Sequence, residues 1–258
     1  MTERDLLHAG GRPGGWGSLG LWTASTPDYA GACEALARAV GQAAAIQRGE
    51  RVLAVACGAG DELRLWAAAF GAAQVTGIEI DPALAAAARQ HASPHAVHVG
   101  SATRLAGLGL PDATFDRIVC VDAAYHFDPR SDFLRQASRL LRPGGRLALT
   151  DLVVDGAPSP WQAALLRAGT RICGLRAPLL TADAHLAQWR HAGFVDVQLT
   201  RLDDAVLGGF ARFVTAQGRR QRVGLWDAAW RRPAITARLI GPCRAAGLGY
   251  ALIAAATA

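Results

Sequence analysis

Lysine is absent from the 258-residue chain, and all 27 basic residues are arginine. Alanine is abundant and there is a single methionine, a composition typical of a GC-rich coding sequence. The number of arginines therefore does not by itself indicate nucleic-acid binding. No apolar run approaches the roughly 20 residues that a membrane-spanning helix needs, and the first residues contain no apolar signal core. We expect no membrane span and a cytoplasmic location.

Cysteine is sparse and dispersed. The chain has five cysteines, and no two of them form a CxxC pair. An odd, scattered set argues against a disulfide framework and offers no zinc-ligand spacing, so we expect no metal site. Hydrophobic residues make up 51% of the chain and charged residues 19%, which is sufficient for a sizeable core in one domain.

Positive charge is concentrated near the C-terminal end. Residues 211–244 contain eight arginines and one acidic residue, Asp227, for a net charge of +7, whereas the rest of the chain is close to neutral. Two interpretations stay open, a solvated helical face or a site for an anionic group.

Strand and helix patterns alternate along the chain. A helix is predicted to begin at Thr26-Pro27-Asp28 and to run to about Ile46. Further helices are expected after Asp61, after Asp81-Pro82, over 131–141 and 181–192, and through most of 204–244. The predicted strands cover 51–56, 74–80, 95–100, 115–121, 146–154, 194–200 and 249–256. This rhythm is typical of an α/β fold with a doubly wound, mostly parallel sheet between two helical layers.

Two glycines separate the first predicted strand from the next helix, in the sequence VLAVACGAGDE. Gly58 and Gly60 would let a ligand approach the backbone, and the N-terminus of the following helix favours anionic groups. Glu79 lies 19 residues beyond Gly60, at the end of the second strand. A carboxylate there is suited to accept hydrogen bonds from ribose hydroxyls. The turn and the acid together predict a nucleoside-binding site.

Six blocks in order resemble the class I S-adenosylmethionine-dependent methyltransferases: VLAVACGAG, VTGIEIDP, GSATRL, FDRIVCVDAAYHF, LRPGGRLALTDL and HAGFVDVQL. The resemblance covers about residues 25–200. It implies a seven-stranded sheet of order 3-2-1-4-5-7-6 with an antiparallel last strand and an N-terminal helical lid. It also implies S-adenosylmethionine as cofactor and S-adenosylhomocysteine as product. No segment resembles the NPPY-like motif that holds a flipped base, so a nucleic-acid substrate is not expected.

The chain is most similar to the small-molecule branch of that family, which acts in specialised and lipid metabolism. The resemblance implies a flexible arm and lid over residues 1–28 and a methyltransferase domain over 29–258. Within that domain we expect a substrate-capping segment at about 155–180 and a helical insertion at about 204–244. The implied cofactor-binding residues are Trp22, Tyr29, Cys57, Gly58, Gly60, Glu79, Ile80, Ser101, Ala102 and Val121.

Three positions depart from the family pattern. Ala54 stands where the family has an acid that orders the loop and the cofactor amino group, and Ala56 stands where it has glycine. Ser101 replaces an aspartate that contacts the adenine amino group. Loss of one such hydrogen bond costs about 0.5–1.5 kcal/mol, so we expect weakened cofactor binding.

Methyl transfer requires mainly alignment, plus a base when the acceptor must lose a proton. His126 is the first candidate base and Tyr125 the second catalytic candidate, because both follow the fourth strand at its carboxyl end. A histidine that only bonds a loop carbonyl is the alternative for His126. Asp151 is expected to have a buried hydrogen-bonding role.

The segment after the fifth strand is apolar, which predicts an apolar acceptor pocket or a helix that packs on the core. Its apolar residues are Trp161, Leu165, Leu166, Ile172, Leu175 and Leu180. The acceptor is thus a small, largely apolar molecule, with an anionic group left open, as is a homodimer.

The sequence leaves three functions to compare. The first is methyl transfer to carbon, oxygen or nitrogen of a small metabolite. The second is a cyclase or isomerase that keeps the fold without transferring methyl, and the third is a degenerate, non-catalytic partner subunit. Ala54, Ala56 and Ser101 motivate the second, and intact Glu79, Gly58, Gly60 and the DAAYHF block argue against the third.

Overall fold

A computed structural model describes residues 2–12, 14–175 and 177–258. The strands are β1 (Arg51–Val55), β2 (Gln74–Glu79), β3 (Ala96–Val99), β4 (Phe115–Cys120), β5 (Leu141–Val154), β6 (Leu180–Thr181), β7 (Phe194–Arg201) and β8 (Leu248–Thr257). The helices are α1 (Glu3–His8), α2 (Tyr29–Ala43), α3 (Asp61–Phe70), α4 (Pro82–His91), α5 (Arg130–Leu140), α6 (Pro160–Ile172), α7 (Ala182–His191), α8 (Gly209–Gln221) and α9 (Arg231–Ala245).

One mixed sheet has the order β3-β2-β1-β4-β5-β8-β7. The strands from β3 to β5 run parallel, and β8 is antiparallel to both of its neighbours. The two-residue strand β6 pairs with β5 outside this path. When β7 and β8 are counted as the sixth and seventh long strands, the order is 3-2-1-4-5-7-6. The predicted fold class and strand order are confirmed.

The central strands are buried on both faces, as their continuous apolar sequences predict. All six residues of β4 are buried, and β1 exposes its first residue alone. Two core clusters lie on opposite faces of the sheet. One contains side chains of α2 and α3 such as Leu36 and Trp66, and the other contains side chains of α5 such as Phe133.

Several predicted boundaries are wrong. Helix α2 begins at Tyr29 rather than near Thr26, because Asp28 is the N-cap and its carboxylate accepts from the Gly31 amide at 2.7 Å. The helix ends at Ala43, before the left-handed Ala45 (φ +52°). Strand β5 begins five residues earlier than predicted, at Leu141, because Leu141 pairs with Phe115 before a register shift.

The arm, residues 2–28, packs on the domain. Its helix α1 has a capping box between Thr2 and Asp5, and Leu6 and Leu7 are buried. The Gln217 side-chain amide, on α8, donates to the carbonyls of Leu6 at 3.0 Å and Ala9 at 2.6 Å. Residues 3–8, expected to be flexible, are therefore helical and bonded to α8.

The predicted helical insertion at 204–244 consists of two helices. A π-helical turn over Asp204–Gly208 leads into α8, and a loop joins α8 to α9. Helix α9 packs against both α6 and the end of α8. Within the described residues, no helix is both long enough and apolar enough to cross a membrane.

Ala56 follows β1 with φ +61°. This left-handed conformation costs a residue with a side chain about 1–2 kcal/mol, whereas glycine adopts it freely. The residue is half-buried and packs against the core cluster around Leu53. The departure from the family's glycine therefore places strain in the loop itself, beyond the small volume of one added methyl group.

We expect Ala56→Gly to raise the free energy of unfolding by about 0.5–1 kcal/mol, because relief of strain exceeds the added chain entropy of glycine. Urea denaturation measures this free energy. Ala59→Gly is the matched control, because Ala59 lies in the same loop but does not have a positive φ, and it should destabilise the protein. A lower free energy of unfolding for Ala56→Gly would contradict the claim that Ala56 is strained.

Candidate active site

The loop after β1 has an open side and a closed side. Gly58 has φ +55°, and a methyl group on it would contact nothing within 4 Å. Gly60 has φ +93° and is the N-cap of α3, where a methyl group would lie 3.0 Å from the Ala88 Cα of α4. Gly58 is thus the position at which a ligand can approach the backbone, and Gly60 is required for the packing of α3 on α4.

Glu79 joins the loops that follow β1 and β2. Its side chain is buried, and Oε2 accepts from the Gly58 amide at 2.8 Å. Oε1 accepts from the amides of Ile80 at 2.9 Å and Asp81 at 3.0 Å. A carboxylate has about four acceptor positions, so the group keeps capacity for a ligand hydroxyl while it shapes the turn.

An apolar surface lies beside that carboxylate. Ile80 is 67% exposed at the end of β2, and Val99, at the end of the neighbouring β3, is 41% exposed. Ala102 is buried in the next loop. The Ser101 hydroxyl accepts from the Thr103 amide at 3.3 Å and lies 3.0 Å from the Thr103 hydroxyl. Ser101 thus caps a local turn, and Ile80 leaves an exposed apolar surface beside Glu79.

Asp122, directly after β4, connects three parts of the chain. Its carboxylate accepts from the Leu19 amide of the arm and from the Tyr250 hydroxyl of β8, both at 2.6 Å. Its own amide donates to the Thr150 hydroxyl of β5 at 2.7 Å. Burial raises the pKa of Asp122 to about 6, although hydrogen bonds from Tyr250, Leu19 and Tyr125 oppose that rise.

A cavity of about 250 Å³, called here the central cavity, lies between the arm, α6, α8, α9 and the carboxyl ends of β4 and β5. Asp122, Tyr125 and His126 form its polar side. Most of the remaining wall is apolar, with Leu19, Leu152, Leu175, Leu207, Phe210 and Ile240 among its residues.

The described part of the substrate-capping segment contributes to this cavity through residues other than most of those predicted. Leu175 lines it, together with Gly169, Thr170 and Cys173. Trp161 and Ile172 instead face solvent, at 63% and 60% exposure. Their prediction as pocket residues is wrong, because the helical turn of α6 that faces the cavity carries small and polar side chains.

The two catalytic candidates differ in protonation. Burial is the main factor that lowers the pKa of His126, and the positive charges of Arg232 and Arg130 add to it. Burial and the charge of Asp122 raise the pKa of Tyr125 well above its usual range. At neutral pH the imidazole is therefore a neutral base, whereas the phenol stays protonated and is a hydrogen-bond donor.

The lid candidates occupy different places. Tyr29 lines the central cavity, and its hydroxyl donates to the Ser18 carbonyl at 2.7 Å. Trp22 stacks on Phe213 of α8 with 4.5 Å between ring centroids, and its indole N–H donates to the Leu19 carbonyl at 2.8 Å. Trp22 thus fixes the arm to α8, whereas Tyr29 faces the cavity.

Asp151 is held in an ion pair. The Arg130 guanidinium donates to its two oxygens at 2.6 and 3.1 Å, and both side chains are buried. The predicted hydrogen-bonding role is confirmed. Asp122, which directly follows the apolar strand FDRIVCV, lines the central cavity, whereas the family resemblance implied a place beside the methionine part of the cofactor.

Comparisons with known proteins agree with this geometry. The family described as a methyltransferase domain matches residues 53–149. Erythromycin 3''-O-methyltransferase of Saccharopolyspora erythraea is 30% identical over 212 residues, which cover 78% of this chain and 68% of that protein.

Solved structures show the same fold. The cyclase SpnF superposes with a TM-score of 0.73 at 23% identity, over 98% of this chain and 90% of the other. A geranyl diphosphate methyltransferase in complex with its S-adenosylmethionine cofactor superposes with a TM-score of 0.72 at 16% identity, over 90% and 88%. Likeness at these identities establishes the architecture, and the sequence relatives establish the family. The chain belongs to the class I S-adenosylmethionine-dependent methyltransferases.

Proposed function

We propose that the protein methylates a hydroxyl group on a small, largely apolar metabolite. The central cavity carries this proposal, because its wall is mainly apolar and its polar side combines a neutral imidazole, a phenol and a carboxylate. The related erythromycin 3''-O-methyltransferase supports an oxygen acceptor. The likeness to the cyclase SpnF concerns the fold and favours no second function.

The cofactor fits the loops at the carboxyl ends of β1, β2 and β4. We assign the ribose hydroxyls to Glu79 and the adenine to Ile80, Ser101 and Ala102. The methionine part is assigned to Cys57, Gly58, Gly60 and Val121, with Trp22 of the arm and Tyr29 of α2 as the residues that close the site. The open face at Gly58 and the exposed surface of Ile80 support this assignment.

His126 is proposed as the base. When bound, S-adenosylmethionine supplies an electrophilic methyl group on its sulfonium. The imidazole accepts the proton of the acceptor hydroxyl, Tyr125 and Asp122 orient that hydroxyl by hydrogen bonds, and the arm excludes water.

An anionic or strongly polar group of the acceptor would lie at the mouth of the central cavity. Arg4 of α1 and Arg232 of α9 both line it, and neither is in a salt bridge with another described residue. Arg219, Arg220 and Arg222, at the end of α8, are not among the cavity residues that the structure describes. We therefore assign any such recognition to Arg4 and Arg232.

Replacement of Glu79 tests the cofactor site. We expect Glu79→Gln to weaken S-adenosylhomocysteine binding at least about tenfold, because it removes a charge-assisted acceptor. Isothermal titration calorimetry measures this. Glu34→Gln, on the outer face of α2, is the matched control and should bind like the wild type. Equal affinities for both variants would refute the assignment.

The pH dependence tests the base. Activity requires neutral His126, so the rate should be maximal at neutral pH and fall as pH drops through a pKa below 6.5. His126→Ala should reduce kcat by about 10²–10⁴ and remove the part of the acid limb due to imidazole. His191→Gln, exposed at the end of α7, should leave the profile unchanged.

Asp122 titrates in the same range, with a pKa of about 6, so Asp122→Asn is measured beside the histidine variant. We expect it to retain an acid limb that His126→Ala loses. A His126→Ala enzyme with the wild-type kcat and profile would exclude the imidazole as base.

A further inference from the structure

Glu62, in the first turn of α3, is a buried carboxylate without a partner. It is 9% exposed, and no hydrogen bond from another described residue reaches its side chain. The adjacent Asp61 differs, since it accepts from the Gly15 amide at 2.9 Å and lies 3.3 Å from His91 Nε2. The Glu62 oxygens are not among the fully buried side-chain atoms that lack a partner, so the carboxylate reaches solvent-accessible space that a ligand can enter.

The surroundings of Glu62 are negative. Burial and the charges of Asp61, Asp122 and Glu79 raise its pKa well above the usual range. Its own charge in turn contributes to the raised pKa of the Cys57 and Cys120 thiols. Glu62 therefore lies near Cys57, which follows β1, and near Cys120, which ends β4.

Among the described residues, no cationic group contributes to the raised pKa of Glu62. The charges of Asp122 and Glu79 thus act on Glu62 near the edge of the sheet where the loops after β1, β2 and β4 meet. A ligand that carries positive charge would relieve both the repulsion and the missing hydrogen bonds. The chemistry of the site therefore favours a cation.

S-adenosylmethionine and S-adenosylhomocysteine both carry an α-ammonium group. Ala54, fully buried in β1, lacks the carboxylate that the family resemblance places near that group. We propose that Glu62 binds the α-ammonium of the cofactor and so replaces the acid absent at position 54. This rests on the cofactor site proposed above and adds a residue to it.

This assignment predicts that cofactor binding is coupled to the release of a proton. Burial and the charges of Asp61, Asp122 and Glu79 favour the protonated form of Glu62 in the free protein. Contact with an ammonium group favours the ionised form. Binding should therefore release a proton from Glu62, and affinity should rise with pH until Glu62 is ionised in the free protein.

Calorimetry with S-adenosylhomocysteine tests this, since that ligand has the ammonium but no sulfonium. Titrations at pH 7 in phosphate and in Tris, which differ in ionisation enthalpy, count the protons released. For the wild type we expect net proton release. For Glu62→Gln we expect an affinity at least tenfold weaker and a smaller proton count. Glu34→Gln is the control and should match the wild type in both quantities.

Thermal unfolding shows whether Glu62→Gln is folded, and an equal or higher Tm is expected because a buried acid is removed. If that variant does not fold, Glu62→Asp serves instead, with weaker binding and retained proton release expected. Wild-type affinity and proton count in Glu62→Gln would overturn the inference alone. Absence of binding by the wild type up to millimolar ligand would overturn the cofactor site as well.

Discussion

The carboxylate of Asp122 is the interaction on which the site depends. It accepts hydrogen bonds from Leu19 of the arm and from Tyr250 of the antiparallel strand β8, while the Asp122 amide, at the end of β4, donates to Thr150 of the parallel strand β5. These contacts place a residue near the N-terminus and a residue of the last strand on the same side chain. The arm, β8 and the polar side of the central cavity thus share one side chain, whose charge also contributes to the raised pKa values of Tyr125 and Glu62.

The sheet could be predicted from sequence because each buried strand is a short apolar run closed by a turn signal. The loops proposed to bind the cofactor were located through Gly58, Gly60 and Glu79, whose spacing along the chain reflects one βαβ unit. The central cavity could not be predicted in the same way. It is assembled from the arm, α6, α8 and α9, which are far apart in sequence. The positions of their apolar residues do not show which face of each element points into the cavity. Trp161 and Ile172 show this, since both are apolar and both face solvent.

The three departures from the family pattern have different physical outcomes. Ala56 places a side chain in a backbone conformation that suits glycine. Ser101 keeps a hydroxyl at its position but uses it to cap its own turn. Ala54 removes a carboxylate from a fully buried strand, while another carboxylate, Glu62, lies at the start of the next helix. Compared with the family motif position by position, the chain has lost three groups. The folded chain nevertheless retains a carboxylate, Glu62, in the same region.

The loops of the sheet and the peripheral helices form different parts of the site, and this has a consequence for engineering. The proposed cofactor-facing groups lie on the turns after β1 and β2, but most of the central cavity is formed by the arm, α6, α8 and α9. Libraries that vary Leu175, Phe210 and Ile240 would reshape the volume offered to an acceptor without altering the turn that Glu79 organises. The fold therefore places the acceptor volume and the proposed cofactor turns on different elements, and the two can be varied independently in the laboratory.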